Sequence, residues 1–499
     1  MPWRDALAPV RMTSIALVAP ARSLREMLVA VAAAAAVEID QSGSGQGADG
    51  EAAWRQLGQL PDRLPGGSPA SSAGSAPSAA AEPPPPALSA TPPDLDALLR
   101  AGRYDLLAGE AQLQAFASSA ARGSGAAALA GWIPSDRVPS LTAELAEVGC
   151  AVVPLARRGS ANAPTLLAGR PTRRAVTPLV STYGTVPYAD IDPTWAAWAS
   201  YVLMFGMMFG DAGHGLLLVA AGLCLRAGWP RWARRFSAAW PFVVGAGLAA
   251  AAFGLLYGEF FGPTGVVPVL WLAPLARPLP LLAVAIGAGA VLLACAYALG
   301  TVNRWREGGW RLALYAPSGI AGSALFLGAA LAAGAWYLRS AALLAGGAII
   351  ATVGLVLALA GFVAEAGGGG TGVAQATIEL FDTIVRLGSN VVSFARLAAF
   401  GLTHAAIGWI VWEGTRALWT RGGPLIAAAI VLFIVGNALA FALEALVAAI
   451  QALRLEYYEL FSRVFVTQGR PFRPWALRVV TQEDGSGTTG PLISGEKAA

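Results

Sequence analysis

Two long apolar stretches contain ionisable residues, and five of these have types and spacing that suit an ion path. Asp382, Arg396 and His404 follow one another in one stretch, and Glu444 and Arg454 lie in the next. Because a charge in the hydrocarbon core is costly, such residues usually serve an ion path or a specific pairing. At about 1.5 Å and 100° per residue, Asp382 and Arg396 share one stripe of a helix, roughly 21 Å apart. The order places Arg396 between groups that can carry protons.

The arginines and the other three residues suit different parts of such a path. A guanidinium keeps its charge at any working pH, so Arg396 and Arg454 suit a fixed positive barrier. The pKa values of carboxylates and of histidine shift with burial and neighbours, so Asp382, His404 and Glu444 suit proton relays on either side of it. The alternative is ordinary pairing, for instance of Arg396 with Glu444, that fixes the register of two helices.

The composition indicates an integral membrane protein. Apolar residues make up 56% of the 499 residues and charged residues only 13%, outside the usual range of soluble domains. The only lysine, Lys497, follows no glycine-rich loop, so the chain has neither a basic cluster for nucleic acid nor a P-loop for ATP. Cys150, Cys224 and Cys295 lack the spacing of a metal or redox site. We therefore expect no metal and no cofactor.

The chain divides near residue 190 into a soluble part and a membrane part. The soluble part shows the strand and helix patterns of a small α/β domain, including a helix from Leu24 to Ala35. A stretch rich in Pro, Ser, Gly and Ala interrupts it and is predicted to be a linker. The predicted parts are an N-terminal cytoplasmic α/β segment, the linker, the rest of the cytoplasmic domain, the ion-translocating membrane domain and a cytoplasmic C-terminal tail: 1–40, 41–95, 96–190, 191–464 and 465–499.

The membrane part is predicted to be all-α, with about eight membrane helices. The apolar run 194–226 would be about 50 Å long as one helix, longer than the roughly 30 Å hydrocarbon layer. The sequence "FGDAGHG" at 209–215 predicts a turn there, between two short helices that enter the membrane and return as a broken hairpin. Six further spans are predicted, the last two long and tilted: 237–259, 279–302, 311–335, 341–364, 380–412 and 424–462.

Arginine-rich connections orient these segments. Four arginines lie in 226–235 and three in 303–311, and such connections favour the cytoplasmic side. The N-terminal sequence lacks the pattern of a signal peptide, which agrees with cytoplasmic termini. We therefore predict a multi-pass protein with both termini in the cytoplasm. His404 and Glu444 then fall in the outer half of the membrane, and Asp382 falls in the inner half.

Five sequence blocks resemble subunit a, also called subunit I or the 116 kDa subunit, of the V-type and A-type rotary ATPases, in a short bacterial-like form. The blocks lie between about 180 and 475: "YGTVPYADIDPT", "FGMMFGDAGHGLLL", "GLLYGEFFG", "SNVVSFARLAAFGLTHAAIG" and "LRLEYYELFSRVF". The resemblance implies a membrane stator, in a bacterial cell membrane, that forms two ion half-channels against a rotating ring of proteolipid c subunits. ATP hydrolysis or synthesis would take place on partner subunits.

The resemblance also implies roles for single residues. Arg396 matches the family's essential arginine, which meets the ring carboxylate and keeps the half-channels from short-circuiting. Arg454 matches the second arginine, in the last span. Glu444 and His404 match groups of the outer half-channel.

Four further residues join Asp382 as candidates for the ion path. The family's inner carboxylate matches either Asp382 or Glu379, which lie one helical turn apart. Asp211 and His214 are candidates to line the inner path, although a turn capped by an aspartate is a simpler explanation of their motif. Glu259 marks the outer end of a span and is a weaker candidate for the mouth of the outer half-channel.

The implied partners are the c-ring proteolipids, subunits of the peripheral stalk and of the central-stalk side, and the bilayer, with protons or Na⁺ as the ion. The family's N-terminal arm contains a long helical hairpin, and the Pro-rich stretch 41–95 stands in its place here. Two alternatives stay open. A secondary ion-coupled transporter would usually show an internal repeat, and a non-conducting scaffold would gain stability by losing the buried charges.

Overall fold

The computed structural model describes the chain in ten segments. They are 9–40, 91–101, 103–123, 125–155, 163–167, 177–367, 369–465, 469–476, 478–479 and 490–491. Most of the predicted linker, 41–90, therefore lies outside the described residues. The described residues form two compact units. One unit, the α/β unit, holds those of 10–166 and 470–499, and the other, the membrane unit, holds Pro9 and those of 167–469.

An antiparallel sheet lies at the centre of the α/β unit. Its strands are β1 (Met12–Pro20), β2 (Glu38–Ile39), β3 (Ala121–Arg122), β4 (Ala126–Pro134) and β5 (Ala151–Pro154). Strand β1 pairs with β4 on one side and β5 on the other, and β2 and β3 both pair with β4. Alternate residues of β1, such as Ile15 and Leu17, are buried, as expected of a strand with one face on a core.

Most helices of the α/β unit bury apolar faces against this sheet, whereas the short second helix packs on the third. They are α1 (Leu24–Ala34), α2 (Leu95–Arg100), α3 (Tyr104–Ser119) and α4 (Val138–Glu147), and α1 packs on α3 and α4. Helix α1 stops one residue before the predicted Ala35, because Ala35 adopts a left-handed conformation that ends the helix. Arg25 donates hydrogen bonds of 2.9 and 2.5 Å to the buried carboxylate of Glu110, joining α1 to α3. The predicted small N-terminal α/β region is confirmed.

The segment that follows the membrane unit returns to the α/β unit. The backbone N–H of Thr165 donates to the carbonyl of Arg470 (2.7 Å), and that of Trp475 donates to the carbonyl of Val37 (2.7 Å). The Trp475 side chain is buried in the α/β core, with its ring centroid 4.6 Å from that of Phe116. The first residues of the predicted C-terminal tail therefore complete a hydrophobic core.

We expect Trp475→Ala to loosen the α/β unit, because truncating a buried tryptophan removes about 3–5 kcal/mol of stabilisation. Hydrogen–deuterium exchange of the purified full chain should show faster exchange in β1 and α1. The control is Trp336→Ala, which removes a tryptophan that is 80% exposed. Equal exchange in the two variants would show that Trp475 does not support this core.

Described secondary structure in the membrane unit is helical. Its α-helices are α5 (Thr177–Tyr183), α6 (Thr194–Met208), α7 (Ala212–Arg226), α8 (Trp240–Tyr257), α9 (Pro278–Tyr315), α10 (Ile320–Leu338), α11 (Ala341–Glu365), α12 (Gly369–Ser393), α13 (Ala395–Trp419), α14 (Leu425–Leu455) and α15 (Ser462–Val464), with a π-helix at Glu456–Phe461 before α15. Within the described residues, six helical segments are long and apolar enough to cross a membrane. A multi-pass membrane protein is thus confirmed, while a count of eight segments stays a prediction.

The apolar run 194–226 is interrupted within its glycine-rich motif. Helix α6 ends at Met208 and α7 begins at Ala212, and each has 15 residues. Both pack on α8, α6 parallel to it and α7 antiparallel. The close approaches are Trp198 to Gly245 and Gly210 to Tyr257 for α6, and Ala212 to Gly254 and Gly222 to Val244 for α7. The chain therefore reverses its direction between α6 and α7.

Helix α9 is longer than the sequence predicts. A span ending at 302 is expected, yet α9 continues to Tyr315 through the arginine-rich sequence and leaves helical geometry only at Gly308 and Gly309. Asn303 is buried here and accepts a hydrogen bond from the N–H of Ile191 (3.0 Å), which holds the polar part of α9 against the unit. The next helix accordingly begins at Ile320 rather than 311.

The last two spans are long, as predicted. Helices α12 and α13 follow one another over 51 residues, and α14 with the π-helix and α15 covers 40. Straight helices of these lengths would measure about 75 and 60 Å, at least twice the hydrocarbon thickness. Their tilt in a membrane stays a prediction.

Candidate ion path

Helices α13 and α14 form an antiparallel pair that carries four of the nine predicted site residues. Going outward from one end of the pair, contacts join Arg396 to Glu459 beyond the end of α14, His404 to Glu444, and Val411 to Gly436. The sum of the two residue numbers stays nearly constant, as antiparallel packing requires. Residues predicted from separate spans are thereby brought to one interface.

His404 and Glu444 form a buried pair. Nδ1 of His404 hydrogen-bonds Oε2 of Glu444, and the two side chains are 5% and 14% exposed. A cavity of about 190 Å³ lies beside them, with Met208 and Thr403 in its lining. The alternative pairing of Arg396 with Glu444 is therefore wrong. Glu444 binds His404 instead, and His404 lies about two helical turns along α13 from Arg396.

Arg396 pairs instead with Glu459. Its Nη2 donates to Oε1 of Glu459 (3.2 Å) and its Nε donates to the carbonyl of Ser393 (3.1 Å). The Arg396 side chain is 25% exposed, and that of Glu459 is 8% exposed. The guanidinium is thus held from two sides while part of it stays open at the surface of the unit.

Arg454 lies near Arg396 without a partner of its own. It is exposed, it lies within electrostatic range of Arg396, and it makes no hydrogen bond or ion pair with the described part of the chain. An unpaired arginine on a helix of this apolar character needs water or another charge to be tolerated in a membrane.

Two glutamates that sequence reasoning missed lie on the π-helix after α14. Glu459 binds Arg396, and Glu456 is buried and accepts hydrogen bonds of 2.9 and 2.7 Å from the hydroxyl of Ser200. Asn390 lies beside Glu459, with its side-chain amide oriented so that its nitrogen and its oxygen both form hydrogen bonds. The nitrogen donates to Glu459 (3.2 Å), and the oxygen accepts from Arg463 (2.9 Å). The sequence did contain a signal for the two glutamates, because both are acidic residues within the last apolar span.

The two candidate inner carboxylates lie on α12, apart from Arg396. Asp382 is exposed and accepts a 2.6 Å hydrogen bond from Nε of Arg386, one turn further along α12. Glu379 accepts a 2.9 Å hydrogen bond from Gln375. Neither carboxylate contacts Arg396 among the described residues, so any exchange of ions between them needs water or a partner chain.

The turn between α6 and α7 is built on Asp211. Its Oδ1 accepts from the N–H of His214 (2.8 Å) and of Phe261 (3.0 Å), and its Oδ2 accepts from the N–H of Gly262 (2.7 Å). Asp211 is fully buried, caps α7 and anchors the loop after α8. This geometry has the features of the capped turn that the sequence offered as the simpler explanation.

The structure groups three weaker candidates with the outer pair. The ring of His214 lies 5.6 Å from that of His404 by centroids. Glu259 is 3% exposed and lies within electrostatic range of His404, Asp211 and Glu444. Asp211 and His214, offered by the sequence for the inner path, thus lie beside the residues offered for the outer one.

Comparison with known proteins identifies the family. The model of the V-type ATPase 116kDa subunit family matches residues 114–262. Subunit I of the A-type ATP synthase of Aeropyrum pernix is 30% identical over 344 residues, covering 59% of this chain and 49% of the relative. The chain belongs to this family. The chain spans about half the length of curated relatives that it matches.

Two other members of the subunit I family show the same partial coverage. The A-type ATP synthase subunit I of Pyrococcus horikoshii is 27% identical over 313 residues, which cover 60% of this chain and 45% of the relative. The V-type ATP synthase subunit I 2 of Treponema pallidum is 36% identical over 143 residues, which cover 27% and 32%. Both relatives are named as subunit I of an ATP synthase.

A buried acid lies outside the membrane spans, in the block "YADIDPT". Asp190 has no exposed surface and lies beside Glu307, whose carboxylate pairs with Arg304 (2.6 Å). Burial raises the pKa of Asp190 to about 8, and the nearby carboxylate of Glu307 acts in the same direction. Asp190 is therefore protonated at neutral pH in the folded chain, whereas an unfolded aspartate is ionised.

We expect this acid to make the folded chain less stable as the pH rises. The folded state holds a proton that the unfolded state has lost, so stability falls from the ordinary aspartate pKa near 4 up to about 8. Asp190→Asn keeps the neutral form and should flatten this dependence, seen as a higher unfolding temperature than the parent at pH 9 but not at pH 5. Tryptophan fluorescence on heating measures it, with the exposed Asp136→Asn as control. Parallel pH profiles for parent and Asp190→Asn would contradict the assignment.

Proposed function

We propose that the chain is the membrane stator subunit of a V/A-type rotary ATPase. It forms two half-channels against a ring of c subunits and translocates protons or Na⁺, coupled to ATP hydrolysis or synthesis on partner subunits. The observation that carries the proposal is the position of Arg396 between two polar groups on the α13–α14 pair. The His404–Glu444 pair lies about 12 Å along the helix on one side, and Glu459 with Asn390 lies at the other.

Arg396 acts as the barrier between the half-channels. A deprotonated carboxylate on a passing ring helix is attracted by the open part of its guanidinium, and Arg454 adds a second positive charge nearby. A proton cannot cross directly, because a fixed positive charge in a low-dielectric region repels it. Glu459 and the carbonyl of Ser393 hold the guanidinium in place between encounters.

The outer and inner paths use different groups. His404 and Glu444 serve the outer half-channel, because they share a hydrogen bond beside a cavity and can pass a proton between them. Asp382 or Glu379 serves the inner half-channel, together with Glu459, which brings the polar path up to Arg396. Water joins these groups, since Asp382 is exposed and Glu379 is only half-buried.

The proposed orientation places both termini and the arginine-rich segments in the cytoplasm of a bacterial cell. The short helices α6 and α7 enter the membrane and return, which makes eight membrane segments. The partners are the c-ring and subunits of the peripheral and central stalks, as the resemblance to subunit a implies, and the relatives are named as subunits of ATP synthases.

This orientation predicts the labelling of single cysteines. In a background without native cysteines, Trp232→Cys and Trp310→Cys replace exposed residues in the two arginine-rich segments. Both should react with an impermeant reagent only from the cytoplasmic side. Val266→Cys, in the exposed loop between α8 and α9, is the control and should react only from outside. Labelling of either tryptophan position from outside would overturn the topology.

The role of Arg396 is tested by keeping its charge and changing its shape. Arg396→Lys should abolish ATP-driven ion uptake, because a point ammonium cannot hold Glu459, Ser393 and a ring carboxylate together and loses its proton more readily when buried. Glu444→Gln and His404→Ala should only slow uptake, because water can replace one relay group. Uptake is measured in vesicles that contain the assembled complex.

Arg421→Lys, at an exposed position just after α13, is the matched control and should keep normal uptake. Assembly of each complex is measured beside transport, so that loss of function is separated from loss of the subunit. Assembled Arg396→Lys complexes that pump at near the parent rate would remove the barrier role and leave Arg396 as a partner that fixes Glu459.

A further inference from the structure

Two histidines and three carboxylates form one buried cluster. The sequence contains only two histidines, His214 and His404, and both lie in it. Asp211, His214 and His404 each offer one ligand atom, and these atoms lie within 4.8 Å of one another. Glu444 binds His404, and Glu259 lies within electrostatic range of Asp211 and His404. These five residues come from four parts of the membrane unit: the start of α7, the end of α8, α13 and α14.

The cluster has an excess of negative groups. No arginine in the described segments forms an ion pair with Asp211, Glu259 or Glu444. Burying a carboxylate without a compensating charge is costly, so the cluster requires protons or a cation. The hydrogen bonds that Asp211 accepts from the backbone compensate one carboxylate only in part.

His214 gives an independent sign of a ligand. The residue is 2% exposed, and neither ring nitrogen makes a hydrogen bond of normal geometry with the described residues, although Asn437 lies close enough to interact with the ring. Its Nδ1 lies 3.7 Å from Oδ1 of Asp211, beyond hydrogen-bond distance. Buried polar groups are normally satisfied, and a bound ion between these side chains would satisfy the imidazole.

The other two side chains are prepared for the same ion. Glu444 contacts Nδ1 of His404, and a carboxylate that binds the second ring nitrogen is the usual way in which metal-binding histidines are oriented. Asp211 accepts two hydrogen bonds at Oδ1 and one at Oδ2, so Oδ2 keeps a lone pair. Two imidazoles and a carboxylate are a ligand set that Zn²⁺ prefers.

We propose that Asp211, His214 and His404 bind one divalent transition-metal ion of the zinc type, with Glu444 as the positioning residue for His404. Bonds of about 2.0–2.2 Å to a tetrahedral ion place neighbouring ligand atoms about 3.4 Å apart, so binding draws the three side chains together slightly. The cavity beside His404 offers a route for the ion. If His404 serves the outer half-channel, the bound metal blocks it, and only this consequence rests on the proposed function.

Co²⁺ binding to the purified full chain tests the site, because tetrahedral Co²⁺ absorbs visible light. Cys150, Cys224 and Cys295 are replaced by serine beforehand, so that no thiolate binds the ion. We expect one Co²⁺ per chain by equilibrium dialysis, with displacement by Zn²⁺. His214→Phe should weaken Co²⁺ binding by more than about 100-fold, because it removes a ligand. Loss of a partner that only orients a ligand costs about 10- to 100-fold. The introduced ring fits a pocket that already contains Phe209 and Phe441.

Two further variants separate ligation from packing. Glu444→Gln should weaken binding about 10- to 100-fold, as expected for loss of an orienting carboxylate. Phe441→Leu changes the packing on His214 without removing a ligand and should bind one Co²⁺ as tightly as the parent. Absence of Co²⁺ binding in the parent, or equal binding by His214→Phe, would overturn the metal site and leave protons as the compensating charge. Neither result affects the transport proposal, which Arg396→Lys tests without metal.

Discussion

Every buried charge in the membrane unit must be compensated inside the unit, and this constraint shapes the site. Transfer of an ionised group from water into an apolar interior is too costly to occur without hydrogen bonds or an opposite charge. Arg396 has Glu459, His404 has Glu444, and Asp211 has three backbone N–H groups. Each compensation ties together helices far apart in sequence, so the same contacts that permit polar groups also fix the arrangement of the helices.

Close backbone approach makes these contacts possible, and two glycines allow it. A Cβ on Gly254 would lie 2.1 Å from the backbone nitrogen of Ala212, so only glycine lets α8 approach the turn that Asp211 caps. A Cβ on Gly289 would lie 2.1 Å from the ring of Phe394, the residue between α12 and α13. Phe394 can therefore be fully buried two residues before Arg396, which sets the direction from which the guanidinium leaves its helix. Close helix packing at glycines, which have no side chain, thus determines where the charged groups lie.

Sequence reasoning found which residues are unusual but not which residues meet. Charges in apolar runs identified Arg396, His404 and Glu444, because their cost is a local property. The partner of Arg396 depends on how α14 continues into a π-helix, which no local pattern predicts, and so Glu459 was missed. Spans were placed well where apolar runs end abruptly, whereas α9 runs beyond its apolar part because Asn303 is bound by the loop at Ile191. The α/β region followed from strand and helix periodicity, but the return of Trp475 to its core did not.

Arg454 is an exposed charge that no described residue of the unit compensates. On the same helix, α14, Leu439, Leu443 and Leu446 are each more than half exposed, so this face is apolar as well as open. An apolar face is stable in lipid, but exposing an arginine on that face to lipid is energetically costly. Among the described residues no acid compensates Arg454, so water or the acid of another chain has to stabilise it in a membrane. Under the proposed function, a helical partner with one buried carboxylate would cover the apolar face and supply that charge, and for this reason the unpaired arginine supports the proposed stator.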